Sequence, residues 1–177
     1  MSRTLLALLV PDAEPWVGEL RARYDPSAKL GFAPHITLVY PFFDSEDLSA
    51  SRLRRLDDVA AMHSALTFDL DRIATFPSTV WLAPEPSAPI AALTAALKVA
   101  FPERPRATRE FGHYVPHLSV ARNLRGEDAV AEMKLQLASR LPPPGTVSYA
   151  CRELHVMRRD EQGWQSLHAA PLRKLPA

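Results

Sequence analysis

Cysteine is almost missing from this chain. The single thiol, Cys151, excludes an internal disulfide and a cysteine-rich zinc site, and a buried, inert thiol is expected there. Charge of one sign is missing too, with 21 Lys and Arg against 20 Asp and Glu. That balance excludes a protein that coats nucleic acid by overall basicity, although a local basic patch stays open. No apolar run approaches a membrane span. The run after Arg3 is shorter than a signal h-region, is followed by no small-residue cleavage site, and is closed by Pro11 and Asp12. It reads as a first, buried strand, so a cytoplasmic protein without a membrane partner is expected. What is present is ordinary for a folded protein: 47% hydrophobic and 23% charged residues in 177 positions. That suits one domain, or two small lobes sharing a core.

Periodicity gives a mixed order of elements. Strands are predicted over Thr4–Val10, Ile36–Phe42 (broken by Pro41), Thr67–Ala74, Thr79–Ala83, Leu118–Ala121, Val147–Met157 and Trp164–Ala169. Helices are predicted over Glu14–Tyr24 with Asp12 as N-cap, from Ser45 through Met62, over Pro89–Phe101 and over Glu127–Leu141. Hairpins mixed with helices point to an α+β fold with antiparallel sheets, not a doubly wound parallel one. No linker separates independent domains, so residues 1–177 read as a single domain.

One short pattern occurs twice. Pro34-His35-Ile36-Thr37-Leu38 and Pro116-His117-Leu118-Ser119-Val120 both read proline, histidine, aliphatic, hydroxyl, aliphatic. Each begins a predicted strand that a helix follows. Alternate residues of a strand share a face, so His35 lies with Thr37, and His117 with Ser119, while the aliphatic pairs face the core. Two lobes facing each other would then line a cleft with two imidazoles and two hydroxyls.

That set suits cleavage of a phosphate ester. In-line displacement needs a base at the attacking oxygen and an acid at the leaving oxygen, and an imidazole serves as either near neutral pH. The hydroxyls can donate to the non-bridging oxygens. A single histidine in a strand is ordinarily structural, but two matched copies are not explained that way. A metal site is the weaker rival, because two imidazoles without a carboxylate at ligand spacing fall short of the usual three protein ligands. No metal and no cofactor are expected.

These segments resemble the 2H phosphoesterase superfamily, named for its two His-X-Thr/Ser motifs, and within it the 2′-5′ RNA ligase-like branch. Motif 1 (residues 35–38) continues as Val39-Tyr40-Pro41-Phe42, motif 2 (residues 117–120) ends in Ala121-Arg122, and Phe76-Pro77 with Val80-Trp81-Leu82 is similar to the segment between the motifs. The resemblance implies two pseudo-symmetric lobes, each an antiparallel sheet with helices on its outer face, around a central cleft. It implies catalysis by His35, Thr37, His117 and Ser119, with hydrolysis of 2′,3′-cyclic phosphates on RNA ends or nucleotides to 2′-phosphates. Ligation of 2′-5′ RNA linkages at the same site is the reverse chemistry. A non-catalytic RNA- or nucleotide-binding module is a third reading, and a monomer is expected in all three.

Other residues carry a binding reading beside a structural one. Arg122 can bind a phosphate through its planar fork or make a surface ion pair. On regular alternation it falls on the Leu118 face, unless a bulge redirects it. Tyr40, Phe42, Phe76 and Trp81 can stack on unpaired bases or simply pack. The loop Arg104–His113, with Arg104, Arg106 and Arg109, can attract an RNA backbone or remain solvated. No role is assigned to His63, His155 or His168.

Overall fold

Strand β1 (Thr4–Leu9) is apolar on both faces, and the whole molecule is built around it. Leu6, Leu8 and Val10 enter the main core, while Leu5, Ala7 and Leu9 join a smaller cluster on the opposite face. The computed structural model describes residues 3–106 and 113–174. After β1 come α1 (Glu14–Tyr24), β2 (His35–Val39), α2 (Ala50–Ala61), β3 (Leu66–Phe76), β4 (Thr79–Glu85) and α3 (Ala88–Ala100). Then follow β5 (Leu118–Ala121), α4 (Glu127–Ala138), β6 (Tyr149–Cys151), β7 (Glu153–Asp160) and β8 (Gly163–Pro171).

The strands form one eight-stranded sheet in the order β6-β3-β4-β5-β2-β1-β7-β8, and every pairing in it is antiparallel. This is the α+β class expected. Its two halves meet at the centre, where Ile36 of β2 pairs with Leu118 of β5. Each of the four described α-helices contributes to the main core: Val17 and Leu20 of α1, Leu56, Val59 and Ala60 of α2, Ile90, Leu93 and Leu97 of α3, Met133 and Leu137 of α4. Leu6, Leu8, Ile36, Leu38, Leu118 and Val120 of the sheet point into the same cluster. The helices therefore cover that face, each large apolar side chain contributing about 1.5–3 kcal/mol of burial. The opposite face of the central strands is left for other work. No described helix is long and apolar enough to cross a membrane. Cys151 is buried, and burial pushes its thiol up to about 12, the unreactive state expected.

Some elements differ from the sequence reading. The strand predicted over Val147–Met157 is two strands, because Arg152 and Glu153 are both exposed and break the alternation. The break lets β6 pair with β3 and β7 with β1. Helix α2 begins after Ser49, not Ser45: Ser45–Asp47 is a 3-10 turn, and the Ser49 hydroxyl accepts from the Arg52 amide at 3.3 Å. Asp12 lies in a 3-10 turn ahead of α1, whose N-cap residue, Ala13, makes no side-chain cap.

Candidate active site

The central pair fixes the relation of the two motifs. With Ile36 opposite Leu118, antiparallel register puts His35 level with Ser119 and Thr37 level with His117. Each imidazole neighbours the hydroxyl of the other motif. The histidines lie on the diagonal, about 7–8 Å apart between Cα atoms. A local twofold axis passes between Ile36 and Leu118, both fully buried, and relates His35 to His117 and Thr37 to Ser119.

Both rings are anchored alike. His35 Nδ1 lies 2.8 Å from the Ala33 carbonyl oxygen, and His117 Nδ1 lies 2.8 Å from that of Val115. A carbonyl only accepts, so Nδ1 carries the hydrogen in both rings and Nε2 holds the free lone pair when the ring is neutral. The prolines explain this geometry: Pro34 and Pro116 restrict Ala33 and Val115 to extended backbone, which turns their carbonyls toward the following histidine.

The surroundings differ. His35 lies flat on Phe32, with ring centroids 3.5 Å apart and planes 6° from parallel. Phe32 in turn stacks on Trp164 at 4.5 Å. Burial is the main cause that holds His35 at about 4, with the charges of Arg21 and Arg122 acting the same way. His117 meets Phe76 edge-on at 5.2 Å and Trp81 at 5.7 Å. Its pKa is also lowered, first by burial and then by Arg122. Tyr114 ties the halves together by donating its hydroxyl to the Thr37 carbonyl at 2.9 Å.

Both motifs also carry a bulge at the same place. Along β5, Ser119 pairs with Trp81 but Ala121 pairs with Val80, so Val120 is the extra residue. Along β2, Thr37 pairs with Ala7 but Val39 pairs with Leu6, so Leu38 is extra. After each bulge the parity flips. Val120 with Ala121, and Leu38 with Val39, are consecutive buried residues, and the next exposed residues are Arg122 and Tyr40. The bulge thereby turns Arg122 to the histidine face. Tyr40 holds the equivalent sequence position in the other half and is 57% exposed.

The family-model comparison matches residues 9–163, most of the chain, to the 2′-5′ RNA ligase superfamily. The chain belongs to that superfamily. No curated relative matches it by sequence. Among solved structures, E. coli LigT complexed with 3′-AMP superposes with a TM-score of 0.62 at 21% identity, covering 97% of this chain and 98% of LigT. TT0787 of Thermus thermophilus gives 0.59 at 14% identity, covering 98% and 100%. Usb1 of Kluyveromyces marxianus gives 0.50 at 15% identity, covering 96% and 97%. At these identities the likeness is one of fold.

Of the candidate residues, the structure gathers His35, Thr37, His117 and Ser119 on the face away from the main core, with the Arg122 charge acting on both imidazoles. Phe76 and Trp81 flank His117. Trp81 is cross-strand partner to Ser119 but only 5% exposed, whereas Phe76 is 37% exposed. Phe42 does not join them. It is 1% exposed and packs edge-on against Phe43 and Phe101 in the main core, out of reach of any base. Alternation past Pro41 does not distinguish that outcome, because the strand has already ended at Val39. Arg104 donates to the Phe101 carbonyl at 3.3 Å, and Arg109 lies outside the described residues. His155 bonds Ser166 at 2.9 Å, and His168 pairs with Asp57 at 2.6 Å. The sequence reading missed Phe32, the ring that supports His35, because nothing in Gly31-Phe32-Ala33 marks it.

Proposed function

We propose that this protein is a phosphodiesterase that opens 2′,3′-cyclic phosphates on RNA ends or nucleotides to 2′-phosphates by two-histidine acid–base catalysis. The observation that carries this reading is the matched Nδ1 anchoring of His35 and His117 on neighbouring strands, which leaves Nε2 of each ring as the nitrogen free for proton transfer. The NADP+ and 3′-AMP complexes of LigT, a relative in fold, support a nucleotide as the ligand.

His35, the more buried of the two and the one held at about 4, keeps its lone pair and acts as base. A water molecule gives its proton to His35 Nε2 while its oxygen bonds to phosphorus. The bond from phosphorus to O3′ breaks on the far side, and protonated His117 gives its Nε2 proton to O3′. The Thr37 and Ser119 hydroxyls and the Arg122 guanidinium donate to the non-bridging oxygens, where negative charge sits. The residues 35–38 and 117–120 thus serve one site within a single domain.

The test is incubation in excess EDTA with an RNA ending in a 2′,3′-cyclic phosphate and with the four 2′,3′-cyclic mononucleotides, followed by identification of the product isomer. Turnover to the 2′-phosphate alone supports the reading. Joining of a 2′,3′-cyclic end to a 5′-hydroxyl RNA would instead favour the ligase direction. Binding without turnover would favour a module that only holds nucleotides.

A further inference from the structure

The reading of His35 as a proton-transfer group leaves a buried ion pair beside it unexplained. Arg21 and Asp25, on the last turn and C-cap of α1, are each 1% exposed or less. Arg21 Nε and Nη2 donate to Asp25 Oδ2 at 3.2 and 3.0 Å. Asp25 Oδ1 accepts from the Ser27 amide at 3.0 Å and the Ser27 hydroxyl at 2.8 Å. Arg21 Nη2 also reaches the Phe32 carbonyl at 3.0 Å, and the Phe32 amide donates to the Ser27 carbonyl at 3.1 Å. Together these bonds close residues 25–32 on themselves and tie them to the end of α1, and the last residue tied is the ring that lies flat on His35.

Stability alone is a poor reason for such a pair. Apolar residues of similar volume often replace a buried ion pair at no loss. What the pair supplies is a side-chain tie between the end of α1 and a loop whose 3-10 turn, Ala28–Leu30, is closed by its own backbone bonds. Gly31 adopts a left-handed φ of 78°, and the carbonyl of Leu30 lies where a side chain at Gly163 would stand, 2.5 Å from the position of a Cβ. Only a bare backbone at the β7–β8 tip allows that approach. Trp164, next to Gly163, then closes the stack on the far side of Phe32.

We propose that the Arg21–Asp25–Ser27 network is a positioning device for His35 that acts through Phe32. It fixes the plane of the imidazole and keeps water from one of its faces, so that Nε2 stays a free base aimed at the phosphate. The fork of Arg21 is needed because it spans the Asp25 carboxylate and the Phe32 carbonyl at once, which an ammonium group cannot do in the same plane. His117 works without such a device, held by Phe76 and Trp81 from the sheet itself. Arg21, Asp25 and Arg122 are the charged groups that act on His35, so the test holds Arg122 constant.

The experiment is an NMR titration of both imidazoles beside steady-state kinetics on a 2′,3′-cyclic mononucleotide. It is run on wild type, Phe32→Leu, Arg21→Lys and the paired replacement Arg21→Met with Asp25→Leu. The paired variant leaves no buried charge behind, so it keeps the fold where a single truncation risks losing it. Thermal melts verify folding. In the paired variant and Phe32→Leu, the His35 midpoint is expected to rise toward 6.5, the His117 midpoint to stay put, and kcat to drop about ten-fold with KM nearly constant. Arg21→Lys is expected to fall between these and wild type. A His35 midpoint and kcat unchanged in folded Phe32→Leu and paired variants would overturn the proposal, leaving the network a purely structural one. The titration needs no turnover. A wild type that hydrolyses no cyclic phosphate yet shows the His35 shift would sink the phosphodiesterase reading and leave the positioning role standing.

Discussion

The two halves of the site share a backbone and differ in what surrounds it. In both, a proline sets an extended residue whose carbonyl anchors Nδ1, a bulge follows the hydroxyl, and the fifth residue after the histidine turns back to the same face. In the β2 half that fifth residue is Tyr40 and the imidazole is stacked in a three-ring pile reached only through a loop. In the β5 half it is Arg122, and the imidazole is met edge-on by two rings of the sheet. On the proposed reading, near-twofold symmetry sets two equivalent proton carriers on opposite sides of one phosphate. The departures from it suit one ring to the proposed role of buried base and the other to that of an acid beside a cation. An acid and a base for one in-line step have to differ, and the difference here lies in the neighbours and not in the motifs.

The largest way to break the comparison is to remove either ring. His35→Ala and His117→Ala are each expected to lower kcat by about 10²–10⁴-fold, with melting and circular dichroism near wild type because both side chains face away from the main core. Next come the groups proposed to meet the phosphate. Arg122→Ala is expected to lower kcat/KM by roughly 10–100-fold, Arg122→Lys to recover only part of it, and Tyr40→Ala to change it a few-fold at most. That asymmetry between equivalent positions is read from the same kinetic runs. Thr37→Val and Ser119→Ala are expected to cost about ten-fold each, shown in kcat more than in KM.

The third contrast is in pH. His35 is held at about 4 in the folded chain, against an ordinary histidine value of 6.5. The folded state therefore favours the neutral ring. Its stability is undiminished by this group above 6.5 and is lost as pH falls from 6.5 toward 4, by about 3 kcal/mol in total. His35→Asn removes that loss, so the variant's urea midpoints at pH 7 and pH 4 should lie closer together than those of wild type. For catalysis the same shift keeps the base competent far into acid. The lowered pKa of the acid, His117, puts the falling limb below 6.5. A kcat/KM profile with its optimum on the acid side of 6.5 is expected. A maximum above pH 8 would contradict the assignment of roles.

Much of this was legible in the residues themselves. The repeated Pro-His-aliphatic-hydroxyl-aliphatic pattern marks both strands of the candidate site, and alternation puts each histidine with its hydroxyl because period two is local. Helices α1 and α3 follow from their apolar spacing. The bulges were not legible: Leu38-Val39 and Val120-Ala121 are apolar pairs that fit a regular strand as well as a bulged one, so Arg122 reads onto the wrong face. The partner change at Arg152 was hidden similarly, although two consecutive polar residues are its trace. Phe42 follows Tyr40-Pro41, after the strand has already ended, so no periodicity tells core from cleft. Phe32 and the Arg21–Asp25 pair are missed for a different reason. Their effect on His35 passes through a loop, and loop contacts carry no period.

The claim at the centre is that two matched histidines act on one phosphate in one step. The direct test is a kinetic cycle with His35→Ala, His117→Ala and the double variant on a 2′,3′-cyclic mononucleotide. Groups that act as a unit are far from additive, so the double variant is expected to be about as slow as the slower single one. Losses that multiply in the double variant, or a single variant that keeps near-wild-type turnover, would show that the two rings do not share the reaction.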